Sequence, residues 1–290
     1  MTAVTTESYR ERMLRDAANI ALPDLDTVLS GEPVYRSVSP EGLLTVTARG
    51  AQLPAPYLDD IYRFRLVQYL QRGWADEELA AARGLTGEPY DEHALRDFHT
   101  VVVEQETGRL RGYNTLAGSR GPRGARLGDE AHVPFVVERD YDLRLADHLG
   151  EGTPAAHVWE GKRLVRDYAM SRSQAAVSVP WWAYRGWAEA CLRVLGEDGA
   201  AIVGDGKPNA TIRQLSLLGF TTRMLDVPLR PADPADLFAP MWDQFQRSYP
   251  FVLTDGEALR PALDRLDAML VSGGTGSFTA RLKTFAEATK

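Results

Sequence analysis

The stretch His157-Val-Trp-Glu-Gly-Lys-Arg-Leu-Val-Arg-Asp-Tyr168, followed by Val179 to Leu195 and by Ala200-Ala-Ile-Val203, decides the fold. The first run is rich in β-favouring residues and reads as a strand. From Val179 or Pro180 to Leu195, the residues Ala183, Trp187, Ala190 or Cys191 and Val194 recur on one helical face, and Gly196 stands where a helix stops. Ala200 to Val203 is a short second strand and Gly204 to Asn209 a loop. Ala210 to Leu218 is a helix ended by Gly219, and Phe220 to Leu229 is a third strand. Strand, helix, strand, helix, strand predicts an α/β layer arrangement.

Upstream, Phe98 to Gln105 and Leu110 to Leu116 flank Thr107-Gly108, which predicts two antiparallel strands joined by a tight turn. They follow a helix that begins at Pro56, carries Leu58, Ile61 and Leu70, and ends at Gly73, with helical character again from Leu79 to Arg83. Gly118 to Pro154 is rich in Gly, Pro, Arg and Asp, yet holds the apolar run Val133 to Val137 and a helix around Tyr141 to Leu149. It reads as a long excursion packed on the core, of the kind that covers a site. At the N-terminus, Tyr9, Met13, Ala17 and Ile20 mark a helix, and Val34 to Val38 with Leu43 to Thr47 mark a hairpin. After Pro231 the pattern is helical, from Asp236 to Arg247 and from Leu259 to Leu270, with Trp242 and Phe245 docking it and Gly273 to Gly276 interrupting it. The expected architecture is α/β: a mixed central sheet flanked by helices. A core of residues 53–230 carries an N-terminal helix and hairpin extension, 1–52, and a helical C-terminal extension, 231–290.

The 290 residues carry 33 Lys+Arg against 40 Asp+Glu, a formal charge of −7, which argues against a dedicated nucleic-acid binder. No stretch approaches the roughly 18 apolar residues of a membrane span, and Met1 to Arg15 lacks a signal-peptide core, so a cytoplasmic protein is expected. Cys191 is the only cysteine, which leaves no internal disulfide or cysteine metal cluster, and its place in a helix favours a buried inert thiol over a nucleophile. His93, His99, His132, His148 and His157 show no ligand spacing, so no metal is expected. Gly204-Asp-Gly-Lys-Pro-Asn209 lacks the spacing of a phosphate-binding loop. Arg111, Arg120, Arg123 and Arg126 form a basic patch that suits an acidic partner or a solvated loop.

The element order resembles the acetyltransferase-like (GNAT) fold. A coenzyme A pyrophosphate loop of the Arg/Gln-x-x-Gly-x-Gly/Ala type belongs in Ser171 to Gly186, where no such run occurs. Three other places resemble acyl-homoserine-lactone synthases, the autoinducer synthase family. They are Arg65-x-x-x-Tyr69-x-x-x-x-Trp74, the acidic pair Asp91 and Asp97, and Trp159-Glu160-Gly-Lys-Arg163-Leu, with Arg213 to Phe220 resembling that family's last helix. The likeness spans roughly Leu53 to Pro228. It departs where the family reads Gly-x-x-Arg-Leu-x-Pro-Thr, because this chain has Gly112-Tyr-Asn114-Thr-Leu116-Ala-Gly-Ser119.

That resemblance implies an acyltransferase with no cofactor, S-adenosylmethionine as a small-molecule substrate and acyl carrier protein as donor. It implies Glu160 as the group that takes the amine proton, with Arg163 paired to a carboxylate such as Asp97; a solvated strand edge with a surface ion pair is the alternative. On a regular strand, positions 160 and 163 face opposite ways, so a shared site requires a bulge. Arg65 is expected to pair with Asp91 or Asp97, or to be an exposed helix arginine. Tyr69, Trp74, Trp159 and Trp182 are candidate substrate contacts. Trp74 serves equally as a core anchor, and core packing accounts for most of Trp181, Trp182, Tyr184 and Trp187. Two rival readings are an S-adenosylmethionine enzyme that cyclises or lyses its substrate without acyl transfer, and a non-catalytic ligand-binding relative, for which exposed carboxylates at 91, 97 and 160 would speak.

Overall fold

The computed structural model describes residues 7–170, 174–196, 199–227, 233, 235–243, 248–254, 256–271 and 277–288, without the side chains of 174, 175, 242 and 243. The N-terminal hairpin is β1 (Tyr35–Val38) and β2 (Leu43–Arg49). Then come α2 (Ala55–Arg72) and α3 (Glu77–Ala82), with α1 (Tyr9–Ala17) ahead of them all. Next are the antiparallel strands β3 (Phe98–Glu104) and β4 (Leu110–Gly118), and β5 (Val158–Arg166). Among the described residues, eight strands form one sheet in the order β1-β2-β3-β4-β5-β6-β8-β7, where β6 is Ala201–Gly206, β7 Thr222–Met224 and β8 Tyr249–Leu253. Among these strands only β5 and β6 run parallel, so the sheet is mixed, as expected from the sequence.

Helices cover both faces. On one, α6 (Gln174–Leu195) lays Val179, Trp182, Ala183, Trp187 and Val194 on the sheet, backed by α9 (Leu259–Val271) and α10 (Phe278–Ala288). On the other, α2 buries Ile61, Phe64, Leu66 and Val67 against Val46, Val101 and Val103. The 118–154 excursion packs beside α2 through Leu127, Phe135, Tyr141 and Leu145, against Val158 and Val203. Gly73, at φ +65°, ends α2 as its sequence implies.

Four expectations change. The helix predicted around Tyr141 to Leu149 is two short ones, α4 (Val136–Tyr141) and α5 (Ala146–Leu149), because Asp142 turns to φ +49° between them. Pro180 lies inside α6, not at its start; the Ala176 carbonyl that loses its i+4 donor accepts instead from Arg166 Nη1 at 3.3 Å. The loop predicted from Gly204 is still strand through Gly206, and the next helix is a π turn, Pro208–Ile212, running into α7 (Arg213–Leu217). The tail is not wholly helical: Tyr249–Leu253 inserts between β6 and β7 as β8, while α8 spans Ala239–Asp243. Phe245, the side chain of Trp242, Gly273 to Gly276 and Ser171 to Ser173 lie outside the described residues.

Candidate functional site

The site is built by two irregularities in β5. The first is a bulge. Tyr113 faces Val165 and Thr115 faces Lys162, so Asn114 alone stands opposite Arg163 and Leu164. Arg163 takes φ +66°, a left-handed conformation that costs a non-glycine residue about 1 kcal/mol. The bulge resets the alternation of side chains, and Glu160 and Arg163, three apart, line the same chamber.

The second irregularity is a splay. β5 and β6 pair only from Val158–Glu160 to Ala201–Val203, and beyond Glu160 the strands part. The gap opens into a cleft of about 400 Å³ lined by Tyr69, Trp74, Gly161, Tyr184, Trp187 and Phe251, with Asp205 and Lys207 along β6. Glycine is required where the strands separate. A Cβ on Gly161 would lie 2.7 Å from Trp187 Cζ2, and one on Gly204 would lie 2.7 Å from the Gly161 carbonyl. Trp187 is 3% exposed, and its indole N–H has no hydrogen-bond partner among the described residues.

On the α2 side of β5, beside the Tyr69 and Trp74 end of that cleft, is a charged chamber of about 540 Å³, walled by α2, residues 88–97, the excursion and β5. Its hub is Glu88. One carboxylate oxygen accepts from Arg163 Nε at 3.0 Å and lies 2.7 Å from Arg65 Nη2, and all three side chains are nearly buried. Burial pushes the Glu88 carboxyl up, but Arg163 and Arg65 outweigh it and hold it below the usual carboxylate range. Glu88 in turn raises both guanidinium pKa values against the burial that lowers them. Arg163 also stacks 4.7 Å from the Phe238 ring and 5.8 Å from that of Tyr69, whose phenol burial pushes up to about 12.

Two expected pairings are therefore corrected. Arg65 pairs with Glu88 and not with Asp91 or Asp97, and Arg163 pairs with Glu88 and not with Asp97. Asp97, 1% exposed, is gripped by Arg120 through two contacts of 2.7 Å and accepts from Gly118 N–H. Asp91 is exposed, caps the 92–95 turn through His93 N–H and lies 3.6 Å from Arg120. Thr115 occupies the place of the absent strand arginine and lines the chamber, and Arg120 and Lys162 supply cations there. Arg120 and Arg111 thus leave the supposed basic patch, the latter held by Glu104 and Asp167.

Glu160 is 3% exposed and accepts from Val137 N–H at 2.7 Å and Val136 N–H at 3.3 Å, fastening α4 over the chamber. Lys162 lies 3.6 Å from Glu160 and borders both cavities. Asp140 of α4 and Asp205 of β6 both interact electrostatically with Arg163, and Tyr141 donates to Asp205 at 3.1 Å. Burial pushes the Asp140 carboxyl up to about 7, Arg163 opposing and Asp205 and Glu160 adding to it.

Of the nine residues singled out from sequence, Arg65, Asp91, Asp97, Glu160 and Arg163 meet in the chamber, and Tyr69 and Trp74 line the cleft with Arg163. Trp159 and Trp182 line neither. Trp159 packs on Phe98 under the Arg49 guanidinium, and Trp182 is wholly buried in the α6 core. Sequence reasoning passed over Glu88 and Lys162 and assigned Arg120 to a basic patch instead of the site. A signal for Glu88 existed, since Glu88-x-x-Asp91 is an acidic pair at the end of a Gly-containing loop. Cys191 is fully buried, with its thiol pKa pushed up by burial, and no cluster of metal-binding side chains occurs among the described residues. No helix among them is long and apolar enough to cross a membrane.

No family model and no curated protein matches this sequence. Several solved structures do. They include the acyl-homoserine-lactone synthase LasI, 14% identical over 76% of this chain and 94% of that one, with a TM-score of 0.47. BjaI, a CoA-dependent acyl-homoserine lactone synthase solved with SAM and isopentyl-CoA, is 16% identical over 82% and 97%, with a TM-score of 0.46. FeeM, an N-acyl amino acid synthase from uncultured soil microbes, is 15% identical over 74% and 94%, with a TM-score of 0.39.

Proposed function

We propose that this protein is an N-acyltransferase that moves the acyl group of a thioester onto the amine of an amino-acid-type acceptor, S-adenosylmethionine being the first to test. The observation that carries the reading is the meeting of two unlike cavities, one walled largely by aromatic rings and one mostly by charged side chains, at the gap where β5 leaves β6. A slender thioester arm and an acyl chain suit the cleft between Tyr184, Trp187 and Phe251, where polar competition is low. An acceptor with both an ammonium and a carboxylate suits a chamber holding carboxylates and guanidiniums together. Trp74 and Tyr69, beside Arg163, offer aromatic faces to a cationic or planar part of it.

Catalysis in this reading is mostly positioning. The bound ammonium first gives up a proton. Glu160 ends the β5–β6 pairing and lies 3.6 Å from Lys162, and its two backbone hydrogen bonds leave lone pairs with which to take that proton directly or through water. The free amine attacks the thioester carbon, forming the C–N bond and placing the carbonyl electron pair on oxygen. Collapse re-forms the carbonyl and breaks the C–S bond; the second amine proton goes to the departing sulfur, and an amide and a thiol remain. With S-adenosylmethionine, attack of its own carboxylate on the γ-carbon then closes a lactone and releases methylthioadenosine.

The test is mass spectrometry of the purified protein with S-adenosylmethionine and a set of free amino acids, each offered with acyl-CoA and acyl-carrier-protein thioesters. Methylthioadenosine formed only when a thioester is present supports acylation coupled to lactonisation. An N-acyl amino acid without methylthioadenosine keeps the acyl transfer and changes the acceptor. Methylthioadenosine without a thioester moves the reading to cyclisation or lysis, and no product from any mixture removes it. An unchanged rate in Glu160→Gln ends the proton-acceptor role.

A further inference from the structure

Lys162 is the one basic side chain that borders both the cleft and the chamber without a hydrogen bond to any described residue; Arg163 also borders both but is committed to Glu88. Its nearest anion, Glu160, is 3.6 Å away, beyond hydrogen-bond reach, and is already occupied by the Val136 and Val137 amides. The Lys162 side chain is 20% exposed, and that exposure opens onto the two cavities. Its ammonium therefore has no hydrogen-bond partner among the described residues and stands at a place where occupants of the two cavities can touch.

We infer that Lys162 is the cation that stabilises the oxyanion formed when the acceptor amine attacks the thioester carbonyl. The inference rests on the acyl-transfer reading above and adds to it the group that accepts the displaced electron pair. Carbonyl oxygen and reacting carbon must lie at the junction if donor and acceptor arrive from opposite sides of β5, and a preorganised ammonium in a partly desolvated site acts most strongly on charge that appears only in the transition state. Nothing is transferred to or from Lys162. As the C–N bond forms, the π electrons move to oxygen beside the ammonium, and they return when the C–S bond breaks.

The surroundings set the proton balance of this lysine. Burial disfavours its charged form and lowers its pKa from the ordinary value; Glu160 and Asp97 oppose this, whereas Arg163 and Arg120 reinforce it. Arg65, Glu88, Asp91, Glu92, His93 and Arg139 are the other titratable or charged groups of the chamber, and Arg72, Asp205 and Lys207 those of the cleft. An ammonium with a lowered pKa loses its charge as pH rises, before an ordinary lysine would.

The experiment compares wild type, Lys162→Met and Lys162→Arg, with kcat and both KM values followed from neutral to alkaline pH in the acceptor and thioester pair that wild type turns over best. The expected result for Lys162→Met is a fall in kcat of about 100-fold, the scale of losing one oxyanion donor, with each KM within about threefold. Lys162→Arg, always charged, keeps more activity than Lys162→Met, and its kcat lacks the alkaline decline of wild type. A Lys162→Met variant with wild-type kcat overturns the inference while leaving acyl transfer intact. So does one that raises only the acceptor KM, since Lys162 would then anchor a ground-state carboxylate. Should the methionine variant fail to fold, an alkaline limb that persists in Lys162→Arg overturns it independently. Wild type inactive on every pair removes the acyl-transfer reading, and this inference with it.

Discussion

The two faces of β5 solve opposite problems. Toward α6, Gly161 lies against Trp187, and Tyr184 and Phe251 complete an apolar wall in which each contact depends on shape. Toward the excursion, Glu160, Lys162 and Arg163 meet Glu88, Arg65, Asp97 and Arg120, and each contact depends on a partner's charge. The difference teaches where the molecule is brittle. A packed face loses stability in proportion to the volume disturbed, whereas a buried ion network fails at once when a hub is neutralised, because the remaining charges stay buried.

The largest expected effect is at that hub. Glu88→Gln leaves Arg65 and Arg163 buried without their shared anion and should cost about 3–5 kcal/mol in urea unfolding; a loss below about 1 kcal/mol would mean the chamber is not the interdependent network described. On the apolar face, Gly161→Ala should cost about 1–3 kcal/mol by pushing into Trp187, and should narrow the cleft enough to weaken thioester binding. Equal thioester affinity in that variant would argue against the cleft as the donor site.

Acidity provides a third contrast. Because the Asp140 carboxyl is raised to about 7 by burial, the native state keeps a proton that the unfolded chain gives up near pH 4. The contribution of Asp140 to stability therefore falls as pH rises from about 4 to 7. Asp140→Asn should remove that slope, gaining about 1–2 kcal/mol over wild type above pH 7 and nothing below pH 4, in denaturant curves at fixed salt. The smallest effect belongs to the outer surface. Arg144, exposed beside Asp147 and Glu151, should change stability by less than about 0.5 kcal/mol when replaced by alanine.

What could be read from the sequence follows the same division. The α6 face, the β3–β4 hairpin and the end of α2 at Gly73 were legible because burial repeats with the period of a helix or strand, and because a terminating glycine is a local signal. The pairings in the chamber were not. Arg65 and Arg163 are 98 positions apart and choose Glu88 over Asp91 and Asp97 through the path of the 88–97 loop, which leaves no periodic trace. The Arg163 bulge was legible only as a requirement, since its left-handed backbone is imposed by the neighbouring strand and not announced by a glycine. β8 was missed because Tyr249-Pro-Phe-Val-Leu253 is a short apolar run containing proline, beside helical segments. Trp159 and Trp182 drew notice as aromatics near a motif, yet their rings serve the core.

The central claim is that donor and acceptor approach from opposite faces of β5 and react at the gap beside Lys162. Its most direct test is a structure of the protein with S-adenosylmethionine and a non-cleavable thioether analogue of an acyl thioester. The account predicts the thioether arm between β5 and β6 against Trp187, the acceptor amine in the chamber near Glu160, and the carbonyl oxygen within hydrogen-bond distance of Lys162 Nζ. An analogue seated elsewhere, or both molecules on the same side of β5, would contradict it.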